Sequence, residues 1–213
     1  MQINIPLIRQ DRDSVDCGLA CTAMVLEYYG IKTEIENLKR ETKVYKFGTF
    51  APQLGLILLK KGLKVSITTL NPGLFTLKDE KLSQAEIVDK LEESILKKKG
   101  TNKLALKYFI EFCRNNGKIN VRIPETSEIK ENILKKQPVI ALLTSNFLQG
   151  DNADLNYHFN VITGFDADSF YINDPLWNKF GGEKRFAQKD YLYAIHASVA
   201  GDLDNGSLMI TSK

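Results

Sequence analysis

Two histidines, three cysteines and a single tryptophan leave this 213-residue chain with little of the chemistry that catalysis and metal binding draw on. An odd count of three cysteines does not make a disulfide framework, so free thiols in a reducing compartment are the simpler expectation. No apolar run approaches the roughly 18–20 residues that cross a bilayer. The longest, such as PVIALL at 138–143, are of buried-strand length. MQINIPLIRQD has no basic region followed by an apolar core, so no secretory signal is read and a cytoplasmic setting is expected. A net charge of +3 is too small to argue for nucleic acid. The lysine pairs and the KKK at 97–99 fall near expected helix C-termini, where cations suit the helix dipole. There is no glycine-rich GxxxxGK phosphate loop, no internal repeat and no low-complexity segment. Cys17 and Cys21, four residues apart, find nothing nearby to complete a four-ligand set, so neither a metal nor another cofactor is expected. The sequence gives no reading of oligomeric state.

What is present is an ordinary globular composition, 43% apolar and 26% charged, enough for a real core. Residues 3–8 read as an extended entry. Residues 16–29 read as a helix, with Leu19, Ala20, Ala23, Met24 and Leu26 on a continuous apolar face and Gly30 as its stop signal. Helical patterns follow near 34–42, 51–61, 83–98 and 103–116, interrupted by one strand, LKVSITTL at 63–70. After a short helix near 127–136 the chain changes character: PVIALLT, HFNVITGF, SFYIND and SLMIT read as strands, with a further helix at 186–195 before the last. Helices first and strands later predict an α+β fold. The expectation is one domain, 1–213, with a mainly helical lobe (1–125) packed on a largely antiparallel sheet lobe (126–213) and a cleft between them.

Within DSVDCGLACTAMVLEYYG, Cys17 stands where a helix begins. A thiol there meets unpaired backbone N–H groups and the positive end of the helix dipole, which favour the nucleophilic thiolate. Asp16 or Ser14 can cap the turn, and Gly18 can let a substrate approach the backbone. Cys21 and Cys113 read as core. A nucleophilic thiol needs a base, and with His196 late in a helix and read as structural or exposed, His158 is the candidate. It opens HFNVITGF after the polar loop QGDNADLNY at 149–157, about 140 residues beyond Cys17, a papain-like separation. HFNVITGF and SFYINDP read as a hairpin. A three-residue loop, 166–168, sets Phe165 against Ser169 and Asn160 against Asp174, and makes His158 and Asp174 diagonal neighbours on one face. A two- or four-residue loop reverses the faces and brings Asn173 into play instead. Cys17, His158 and Asp174 together form a nucleophile–base–orienter set.

RQDRDSVDCGLACTAMVLEYYG followed by HFNVITGFDADSFYINDP resembles the bacteriocin-processing peptidases, papain-like cysteine peptidases that cut peptide leaders after a double glycine. The likeness covers about a quarter of the chain by these two motifs. The DCGLAC start, the HFNVITGFD…INDP ending and the late GDLDNGSLMI also resemble eukaryotic guanylyl-cyclase-like domain proteins. The first resemblance implies Cys17 as nucleophile, His158 as base, Asp174 as orienter and Gln10 as oxyanion donor. Gln10 stands one residue further from Cys17 than the family spacing, so RDSVD needs a bulge. Trp177 is expected to cover the His158–Asp174 pair or to wall the substrate cleft, with Gly181-Gly182 a mobile rim. The expected activity is hydrolysis of a peptide or other amide bond through a thioester on Cys17. Acyl transfer by the same triad, nucleotide chemistry and non-catalytic peptide binding are the alternatives. The leader peptidases are usually joined to a membrane transporter with an ATPase; these 213 residues show neither, so a double-glycine substrate is not carried over.

Overall fold

In the computed structural model, which describes residues 1–152 and 157–213, α1 spans Cys17–Tyr28 and is apolar all round, with every residue from Gly18 to Leu26 buried. A helix with no polar face must lie inside the protein. It packs on α2 (Ile35–Glu41), on α3 (Ala51–Lys60) and on the strand β4 described below. After β1 (Lys64–Thr69) the amphipathic pair α4 (Gln84–Lys97) and α5 (Gly100–Arg114) crosses over to β2 (Lys118–Val121). A crossover of that length is what lets β2 run parallel to β1.

The remaining elements are α6 (Thr126–Leu134), β3 (Val139–Thr144), the short α7 (Ser145–Leu148), β4 (Tyr157–Phe165), β5 (Ser169–Asp174), β6 (Gly182–Ala187), α8 (Gln188–Ala197) and β7 (Ser207–Ser212). The seven strands form one sheet in the order β2-β1-β7-β3-β4-β5-β6, antiparallel at every pairing except β1–β2. The fold is α+β. The sheet extends beyond residues 126–213, because β1 and β2 from the helical half join it through β7. One contiguous apolar core draws residues from both halves. Residues 153–156 of the polar stretch 149–157 lie outside the described residues.

The two strands absent from the sequence reading, β2 and β6, are the two edges of the sheet. KINV is only four residues long and GEKRFA is charged and half-exposed, which are the ways an edge avoids further pairing. The segment joining β5 to β6 is folded tightly rather than free: a Cβ on Gly181 would stand 1.8 Å from the Leu176 carbonyl oxygen, so only glycine fits that close return.

The β4–β5 hairpin reaches the expected faces by an unexpected route. Phe165 pairs with Phe170, so four residues, 166–169, make the turn. That count alone would reverse the faces. A bulge between Ile162 and Gly164 puts one extra residue, Thr163, into β4 and restores the register, so that Val161 pairs with Asn173. Asn173 accordingly faces away from His158 and donates to the Ile5 carbonyl (2.8 Å), which fastens the N-terminal segment to the hairpin.

Candidate active site

Cys17 is the first residue of α1 and is half-buried. The expected side-chain cap is absent. Asp16 makes none and lies buried beside Lys39 of α2 (2.8 Å), while the Ser14 hydroxyl is buried without a partner. The start of the helix is therefore left uncapped, and the backbone N–H groups of Gly18 and of Phe159 in β4 favour the charged form of the sulfur.

His158 and Asp174 are both buried, 6% and 5% exposed, and His158 Nε2 lies 2.9 Å from Asp174 Oδ1. The Leu176 N–H donates to the same carboxylate oxygen (2.9 Å). With Nε2 committed to Asp174, Nδ1 is the nitrogen left to hydrogen-bond Cys17. Burial opposes charge on both groups. It is outweighed at Cys17 by the charge and hydrogen bond of His158 and by the two backbone N–H groups, so the thiol lies below its ordinary value. At His158 burial is outweighed by the charges of Asp174 and Cys17 and their hydrogen bonds, which push the imidazole up to about 10. Both shifts run in the direction of a thiolate–imidazolium pair, with the Asp174 carboxylate beside the imidazole.

Gln10 is buried, its backbone N–H donating to Pro175 O (2.8 Å) just beyond Asp174 and its amide to Ser14 O (2.7 Å). Between Gln10 and Cys17 the chain makes a turn in which Ser14 N–H reaches Asp11 O (3.2 Å) and Asp13 adopts a left-handed φ of 58°. Gly18 does not face open space: a Cβ there would meet Thr49 Oγ1 at 2.7 Å and Leu54 Cδ1 at 2.8 Å, so its smallness serves the packing of α1 on α3. Trp177 stays 38% exposed with the Arg12 guanidinium 5.1 Å above its ring, and is not among the residues lining the cleft beside Cys17.

That cleft, of about 380 Å³, has apolar walls from Phe47, Phe50, Leu142 and Phe159. Its polar lining was not read from the sequence. It comprises Lys46 and Thr49 and, from the loop before β7, Asp202, Asp204 and Asn205. The only signal was the polar run GDLDNG, whose place in the fold depends on tertiary contacts. Burial and the nearby Asp202 push Asp204 up to about 7, against the Ala51 N–H that its carboxylate accepts (2.7 Å). A larger cavity of about 740 Å³, lined by Lys118, Arg122 and Glu128 among others, contains none of the residues above. His196 is a structural tie, its Nε2 2.9 Å from Pro124 O. Among the described residues no group of three or more His, Cys, Asp or Glu could hold a metal ion.

Comparison with known proteins bears on this arrangement. The Peptidase_C39 like family matches residues 2–198. The chain belongs to that family. No curated protein matches the sequence. Among solved structures, the C39-like chain resembles a double glycine motif protease from an AMS/PCAT transporter, crystallised with a leader peptide (18% identity, 100% of this chain and 94% of that one, TM-score 0.51). It also resembles a C39-like peptidase from Bacillus anthracis (16%, 99% and 95%, TM-score 0.56). A third likeness is the peptidase domain of Streptococcus ComA, a bifunctional ABC transporter of a quorum-sensing pathway (16%, 98% and 98%, TM-score 0.53). The fold is that of papain-like peptidases, and family and fold together mark the chain as a cysteine peptidase.

Proposed function

We propose that this C39-like peptidase cleaves a peptide bond through a thioester on Cys17, with His158 as general acid and base, Asp174 holding the imidazole, and Gln10 as oxyanion donor. The observation that carries the proposal is the buried His158–Asp174 pair at 2.9 Å, beside a thiol on an uncapped helix tip whose pKa it helps to lower. The Cys17 sulfur attacks the carbonyl carbon, and the carbonyl electron pair moves onto oxygen. The remaining amide hydrogen of Gln10 and the backbone N–H of Cys17 stabilise that oxyanion. Collapse expels the amine with a proton from His158. Water, giving its proton to His158, then attacks the thioester and frees the acid while sulfur leaves.

A peptide substrate is supported by family membership and by the leader peptide bound to the transporter-associated neighbour. A cytoplasmic setting is supported by three free cysteines; among the described residues no helix is long and apolar enough to cross a membrane. The test is the pH dependence of Cys17 alkylation, read by peptide mass spectrometry in wild type and His158→Ala. The expected result is a Cys17 reactive well below pH 8 in wild type alone, with Cys21 and Cys113 sluggish in both. Equal reactivity of the three thiols would overturn the ion pair and the mechanism with it.

A further inference from the structure

One aromatic side chain beside Cys17 is both exposed and held still. Phe47 is 50% exposed, yet it lies in a two-residue turn closed by hydrogen bonds from Tyr45 N–H to Gly48 O (2.8 Å) and from Gly48 N–H to Tyr45 O (3.0 Å). Its ring stacks flat on Tyr45 (5.2 Å between centroids, 4° between planes) and meets Phe50 edge-on (5.3 Å). Tyr45 is tied in turn to Tyr108 through their hydroxyls (2.8 Å). An exposed apolar side chain needs no explanation by itself. A rigid one lining the cleft that contains Cys17 is preorganised to receive a ligand.

The rest of the cleft agrees with this use. Phe50, Leu142 and Phe159 are almost wholly buried and form its floor, while Val15 is exposed beside Phe47. The charged lining, Lys46 with Asp202 and Asp204, carries both signs and so selects neither an anion nor a cation. Discrimination is left to the apolar walls, among which an apolar side chain escapes water. Glycine would leave the cleft empty. Strand alternation says which part of the substrate enters. Tyr157 and Phe159 of β4 line the cleft, and their side chains lie on the sheet face opposite to that of His158. The leaving amine must meet His158 to take its proton, so the cleft falls to the acyl side of the scissile bond.

Resting on the catalytic reading above, we infer that Phe47 determines specificity, and that the cleft takes a large apolar side chain, leucine, methionine or phenylalanine, from one of the two residues before the scissile bond. The substrate side chain packs on the free half of the Phe47 ring and covers it from water. A double-glycine substrate makes no such contact.

The experiment uses the full chain and short peptidyl chloromethyl ketones that alkylate Cys17. One of the two residues before the ketone is varied among Leu, Phe, Asn, Glu, Lys and Gly, the other being Gly. Second-order labelling rates are read by intact mass, each divided by the same protein's iodoacetamide rate at Cys17. At one of the two positions the Leu or Phe probe is expected to outpace the Gly and Asn probes at least about tenfold in wild type. That preference should fall to within about threefold in Phe47→Ser and return in large part in Phe47→Leu, which restores an apolar wall. Equal Leu and Gly rates at both positions, faster Asn, Glu or Lys probes, or a preference that survives in Phe47→Ser would overturn the inference. A Cys17 unreactive towards iodoacetamide in wild type would instead overturn the catalytic reading, and the inference with it.

Discussion

Cys17 and Cys21 stand one helical turn apart on α1, and their surroundings drive the two thiols in opposite directions. Around Cys17 the helix has just begun, so backbone N–H groups are unspent and the His158 imidazole reaches it from the sheet. Around Cys21 the helix is closed on itself and the neighbours are apolar. Burial, with the negative groups Cys17 and Asp174 nearby, pushes that thiol well above its ordinary value. Burial opposes ionisation at both sulfurs. What separates them is whether unused donors and a cation reach the sulfur, which makes reactivity a property of the helix end rather than of cysteine.

The comparison breaks most sharply at the proposed nucleophile. Cys17→Ala should lower peptide hydrolysis by at least about 1000-fold with an unchanged far-ultraviolet circular dichroism spectrum. Cys21→Ala should keep turnover and lose about 1 kcal/mol in urea unfolding, from the small cavity it leaves. Turnover by the first variant, or an inactive folded second, would erase the distinction. Gln10→Ala should lower kcat by about 100-fold with little change in Cys17 alkylation, since it acts on the oxyanion and not on the thiolate. His158→Ala should slow alkylation of Cys17 at pH 6.5 by about tenfold or more while leaving Cys21 as it was.

The sign of the pH dependence follows from the two shifts. His158 is raised from an ordinary 6.5, so its stabilising contribution is whole below that pH and is lost as pH rises through about 10. Cys17 is lowered from an ordinary 9.0, so its contribution is present above that pH and is lost as pH falls through the lowered value. The alkaline limb of kcat/KM should therefore fall near pH 10, where the proton needed by the leaving amine is lost; a limb near 6.5 would contradict the pair. Gly18→Ala is expected to cost about 1–3 kcal/mol of stability in urea unfolding, as Thr49 and Leu54 are forced aside.

How much of this was legible in the sequence varied with the kind of information. Cys17, His158 and Asp174 could be read because each carries its chemistry in its side chain and each sits at an element end marked by Gly, a polar stretch or Pro. Even so, the pairing of His158 with Asp174 came out on the expected face through two departures that cancel, a longer turn and a bulge at Thr163. Neither leaves a compositional mark. The edge strands β2 and β6 were invisible because edge sequences are selected to look unlike strands. Trp177 was placed by its proximity to Asp174 along the chain, whereas its ring goes to Arg12. Much of the polar lining of the cleft comes from residues 202–205, nearly two hundred positions after Cys17, brought there by the pairing of β7 and by ties to Ala51 and Asn71.

The cancelling turn and bulge also constrain how this hairpin can change. Thr163 is held where it is by its hydroxyl on the Tyr171 carbonyl (3.2 Å) and by Ile3 N–H on its own carbonyl (2.8 Å). Deleting that residue, or shortening the turn by one, would rotate one arm by half a pleat and swing either the imidazole or the carboxylate to the far side of the sheet. Done together, the two deletions would leave both where they are. Length variation between positions 158 and 174 is therefore tolerable only in matched pairs, an accounting of parity that no single-site substitution would disclose.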